Sequence, residues 1–128
     1  MRWLFAFGWI PVPVFYVRWL PFGAGGVSWI VAIFILEKYR ADEGLHQHEL
    51  THARQAWRLL LVGHALLYLF YAPYRQWAEV EAYRVQIAVY GPGRSIDFAV
   101  KALATKYQLG ISEDGASALL ENNRRGKP

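Results

Sequence analysis

Apolar and polar positions change rhythm along the chain. From Met1 to Leu36, aromatic and β-branched residues cluster densely and are broken by Pro11, Pro13, Pro21, Gly23, Gly25 and Gly26. Breakers at that spacing predict short extended pieces and turns. Val27–Lys38, following Gly25-Gly26, predicts a strand buried on both faces, with a buried helix as the competing assignment. After Asp42 the period becomes helical. Asp42 can accept from first-turn amides, which predicts a helix from Glu43 to about Tyr71, ahead of Pro73 and kinked at Gly63. A second helix spans about Arg75 to Tyr90 and stops at Gly91-Pro92-Gly93. Ser95 caps a third, ending near Gly110, and Ser112 a short fourth, to about Asn122. Residues 123–128 predict a disordered basic tail. The expected fold class is therefore α+β: a short N-terminal β layer, then four helices, in one domain over residues 1–122.

Composition narrows this picture. The chain has 128 residues, 55% hydrophobic and 19% charged, which excludes a disordered or collagen-like polypeptide. With no cysteine, disulfides, thiolate metal sites and cysteine nucleophiles are excluded, so any metal must be held by His, Asp or Glu. A net charge of +4 permits an anionic partner without requiring one. Met1–Phe7 has the flavour of a signal peptide, but Pro11 and Pro13 interrupt it and no clean small-x-small site follows. The expected location is cytoplasmic or membrane-associated, with no cleaved leader. Leu59–Tyr71 is apolar all round, so protein, a partner protein or a membrane surface must cover it.

The chemistry concentrates in His48-Glu49-Leu50-Thr51-His52, an H-E-x-x-H motif. Histidines four apart lie about 40° apart around a helix and one turn along it, so both rings can converge on one tetrahedral zinc. Glu49 lies about 100° from His48 and can reach a water without ligating the metal. The wheel sets Leu45, Ala56, Leu59, Gly63, Leu66 and Phe70 on the histidine side, and Glu43, Gln47, Arg54 and Arg58 opposite. The two imidazoles should then point into the core, where an unpaired ring is costly. Two core histidines bonded to carbonyls are the plainer alternative.

A zinc site needs a third ligand. Glu79 and Glu81 fall about 200° apart on the second helix, so only one can face the metal. Glu79 sits about 60° from the centre of the Val80, Tyr83, Ile87 and Tyr90 face and is favoured. Glu81, the alternative ligand, shares its side with Arg84 and predicts a solvated pair. His46 is expected to be solvated, and His64 to be a hydrogen-bonded packing residue.

H-E-L-T-H followed on a later helix by Glu79-Val80-Glu81-Ala82-Tyr83 resembles the gluzincin metallopeptidases, above all the membrane-associated peptidases with an E-Y-x-A-D helix and the minigluzincins. The resemblance covers roughly residues 27–90. It implies His48, His52 and Glu79 as zinc ligands and Glu49 as general base of a peptide-bond hydrolase acting on a peptide or protein. It also implies an edge strand, before the active helix, that pairs with extended substrate. Tyr83 stands where the pattern has Asp, which usually orients a ligand histidine. Tyr83 is thus a candidate for that supporting position or for steadying an oxyanion. Ala53-Arg54-Gln55 after His52 is similar to short bacterial and phage H-E-x-x-H-x-x-Q proteins.

The rival to an enzyme is a zinc-stabilised binding protein without catalysis, motivated by the substitution at Tyr83. A helix-turn-helix in the C-terminal part is disfavoured because Glu113-Asp114 would repel phosphate, so no nucleic-acid partner is expected.

Overall fold

The computed structural model describes residues 1–29, 31–59 and 62–124. The fold is α+β. Strands β1 (Arg2–Ala6), β2 (Ile10–Val17), β3 (Gly26–Trp29) and β4 (Ala32–Leu36) form one sheet in the order β1-β2-β4-β3. β1 and β2 pair antiparallel through a tight turn in which Phe7 and Gly8 both take positive φ, 54° and 80°. β2 and β4 run parallel, and β3 returns antiparallel along β4, which leaves β3 at the sheet edge. Helices α1 (Glu43–Arg58), α2 (Val62–Phe70), α3 (Ala72–Tyr90), α4 (Asp97–Thr105) and α5 (Glu113–Arg124) follow.

Alternation in β1 and β2 turns Leu4, Ala6, Val12 and Val14 inward, and with Ile33 and Ile35 they bury against Leu50 and Ala53 of α1. A second core joins Val80 and Tyr83 of α3 to Ala99, Val100 and Leu103 of α4 and to Ala116 and Leu120 of α5. α1 lies between the sheet and α3 and touches both. Its N-terminus is capped as the sequence predicts, with the Leu45 amide donating to Asp42 Oδ1 at 2.9 Å. α3 stops at Gly91, at φ 89°. Ser112 accepts from the Gly115 amide at 3.0 Å at the start of α5.

Three expectations need correction. Val27–Lys38 is two strands folded on each other, β3 and β4, rather than one; Ile30, in that stretch, is outside the described residues. The helix expected over residues 43–71 ends at Arg58 and restarts as α2, with Leu60 and Leu61 outside the described residues. That break changes the helix phase, so Leu66 and Phe70, expected on the histidine side, are exposed. α4 ends at Thr105, earlier than expected, while α5 runs on to Arg124, and residues 125–128 lie outside the description.

Candidate metal centre

α1 carries His48, Glu49, His52 and Gln55, all four buried, with His48, His52 and Gln55 meeting α3. α3 brings Glu79 to the same place, at 2% exposure. Glu79 Oε1 lies 3.6 Å from His48 Nε2 and 3.3 Å from His52 Nε2. One donor atom from each residue falls within 4.8 Å of the others. The imidazole centroids are 5.0 Å apart, so the rings converge as the spacing predicts. Glu81 faces elsewhere: it accepts from Gln55 Nε2 at 2.8 Å rather than forming the expected solvated pair, and Arg84 donates to the Leu119 carbonyl at 2.9 Å.

Gln55 settles which nitrogen of His52 is free. Its Nε2 donates to the Ala78 carbonyl at 3.1 Å and to Glu81, so its Oε1 is left as acceptor. That oxygen sits 2.9 Å from His52 Nδ1 and accepts its N–H, so Nε2 is the nitrogen turned toward Glu79 Oε1. On the carboxylate side, Tyr68 of α2 donates to Glu79 Oε2. His48 Nδ1 and Glu79 Oε1 are buried with no hydrogen-bond partner among the described residues.

The electrostatics follow from this packing. Burial alone would raise the Glu79 carboxyl, but the His52 and His48 imidazoles overcome it and hold the group below the usual carboxylate range. Burial opposes a charged His52, yet the Glu79 carboxylate outweighs it and lifts that imidazole to about 9. Glu49 is pushed up, chiefly by burial, against the pull of both histidines. A carboxyl raised in this way is suited to taking a proton and giving it back.

A divalent cation fits these residues. Once His52 gives up its extra proton, two imidazole nitrogens and a buried carboxylate oxygen that accepts no hydrogen bond make a donor set that a cation satisfies. Two carbonyl-bonded core histidines, the plainer alternative, would not turn both Nε2 atoms to one carboxylate oxygen.

Other positions differ from expectation. Tyr83 meets His48 through its ring, at 4.4 Å between centroids, and its hydroxyl pairs with that of Tyr107 at 2.7 Å. His46 is not solvated: it is fully buried, 2.7 Å from the Asp42 carbonyl through Nδ1 and 2.8 Å from the Tyr16 hydroxyl through Nε2. His64 bonds the Tyr74 hydroxyl at 2.7 Å, a packing role as expected. Sequence reasoning missed Tyr68, which lies in an apolar run with nothing to mark its direction. It also missed Gln55 as the partner of His52, although Gln55 lies one turn beyond it. No family model, curated protein or solved structure matches this chain.

Proposed function

We propose that this chain is a zinc-dependent metallopeptidase, with His48, His52 and Glu79 holding the metal and Glu49 as general base. The observation that carries the proposal is Glu79 Oε1, which makes no hydrogen bond and is set between two buried imidazole nitrogens at 3.3 and 3.6 Å, beside the buried Glu49. The H-E-x-x-H spacing and its resemblance to gluzincins favour zinc and hydrolysis over other uses of the same ligands. Zinc at this position would supply a Lewis acid that polarises a carbonyl and acidifies water.

The remaining work falls to the chain. Glu49 takes a proton from water as the water oxygen bonds to the scissile carbonyl carbon. It then delivers that proton to the amine nitrogen as the C–N bond breaks. Glu49 lies against the edge strand: a Cβ built on Gly26 of β3 would stand 3.1 Å from Glu49 Oε1. An extended peptide paired with the free edge of β3 would thus run past the carboxylate.

Glu49→Gln should keep the metal and abolish cleavage of a fluorogenic peptide mixture, while His52→Ala should lose both. Full hydrolysis by Glu49→Gln would remove Glu49 from the mechanism. A second reading, a zinc-stabilised binding protein, is favoured by His48 Nδ1, which has no hydrogen-bond partner among the described residues where the resemblance expects a carboxylate. Metal-loaded wild type that melts higher but cleaves nothing in a broad peptide screen would select it.

A further inference from the structure

Glu79 has two carboxylate oxygens, and the structure treats them differently. Oε1 faces His48 and His52 without a hydrogen bond, whereas Oε2 receives the Tyr68 hydroxyl. Tyr68 carries the hydrogen bond from α2 to the carboxylate, and apart from Tyr68 and His64, which bonds Tyr74, α2 is an apolar helix with Leu66, Leu67, Leu69 and Phe70 exposed. Such a helix needs something to hold the Tyr68 contact in register.

That hold is Arg75, in the first turn of α3. Its Nη1 donates to the Tyr68 carbonyl at 2.7 Å and to the Leu69 carbonyl at 3.3 Å, the last turn of α2. Its Nε donates to the Tyr107 carbonyl at 2.8 Å, and Nη2 reaches the Gln108 carbonyl at 3.5 Å, in the segment after α4. One planar fork therefore satisfies open carbonyls at the end of α2 and ties them to the α4–α5 connection. The Tyr68 hydroxyl faces a carboxylate oxygen, which can only accept, so the phenol is the donor of this bond.

We infer that Tyr68 is a positioning residue of the metal centre: it occupies Glu79 Oε2, commits Oε1 alone to the cation, and is kept in place by the Arg75 clamp. The inference rests on the metal-centre reading above. Partners that fix one oxygen of a ligating carboxylate typically govern affinity by about 10- to 100-fold.

The test uses the full chain. Cobalt(II) affinity is measured by chelator competition at one pH for wild type, Tyr68→Phe, Arg75→Lys and the double variant, beside the melting temperature of each metal-free protein. Tyr68→Phe removes only the hydroxyl, so it should bind cobalt about 10- to 100-fold more weakly. The visible bands of its complex should weaken, because a carboxylate freed at Oε2 can bind through both oxygens and raise the coordination number. A merely structural role would not change those bands. Arg75→Lys, which keeps the charge and loses the fork, should weaken cobalt in the wild-type background and add little in the Tyr68→Phe background. Unchanged affinity and spectrum in Tyr68→Phe, with wild type loaded, would overturn the inference alone. Equal losses from Arg75→Lys in both backgrounds would also overturn it. Wild type that takes up no metal would strike down the metal-centre reading, and this inference with it. If Arg75→Lys does not fold, Tyr68→Phe decides.

Discussion

Gln55 shows how one side chain fixes the chemistry of another. Its amide spends both donors on Ala78 and Glu81, so it presents only an oxygen to His52 Nδ1. Without it, His52 can rotate or carry its proton on the wrong nitrogen. Gln55→Ala should therefore lower zinc affinity by about 10- to 100-fold, as read by chelator competition. Some of this was legible: the inward face of H-E-x-x-H follows from the phase of α1, and the choice of Glu79 over Glu81 from the phase of α3. Tyr68 and Arg75 were not, because their directions depend on how α2 restarts after α1. His46 misled for another reason. Its place on the wheel suggests solvent, but the sheet supplies Tyr16 to cover it.

At the level of elements, caps and breakers were the readable signals: Asp42, Ser112 and Gly91 bound their helices where the sequence sets them. The division of residues 27–38 into two strands was not readable, since no glycine or proline marks the reversal between Trp29 and Ala32. Packing of α1 on α3 depends on a close approach at Gly44, where an added Cβ would collide with the Tyr90 ring. The Tyr90 hydroxyl is held by Asp42 at 2.7 Å, so the ring cannot step aside freely. Gly44→Ala should cost about 1–3 kcal/mol in denaturant unfolding.

The α2–α3 contact has its own pH signature. Burial, aided by the nearby His52 charge, lowers His64 from 6.5 to about 4. A histidine depressed on folding contributes stability that is fully present above pH 6.5 and is lost as pH falls towards 4. Metal-free His64→Phe should therefore lose less stability than wild type between pH 7 and 4, measured by chemical denaturation at each pH. An identical drop in the two proteins would remove His64 as a source of acid sensitivity.

Over the whole molecule, the site lies between two cores. His48 and His52 come from the helix that packs on the sheet, and Glu79 from the helix that packs on α4 and α5. A cation there would join the halves. Among the described residues the apolar run 59–71 is covered only in part: Leu66, Leu67, Leu69, Phe70 and Tyr71 are exposed, Phe70 at 81%. Among the described residues no helix is long and apolar enough to cross a membrane. The outer face of the sheet likewise shows Trp3, Phe5 and Phe15 to solvent. These surfaces were legible as apolar, but their exposure follows from the split between α1 and α2 and from a sheet covered on one side only.

The central claim is that Glu79, and not Glu81, completes a cation site with His48 and His52. Zinc content of the purified, zinc-equilibrated chain, measured side by side for wild type, Glu79→Gln and Glu81→Gln, tests it most directly. Wild type and Glu81→Gln should each hold close to one zinc per chain, and Glu79→Gln far less. Zinc absent from wild type, or retained equally by Glu79→Gln, would contradict it.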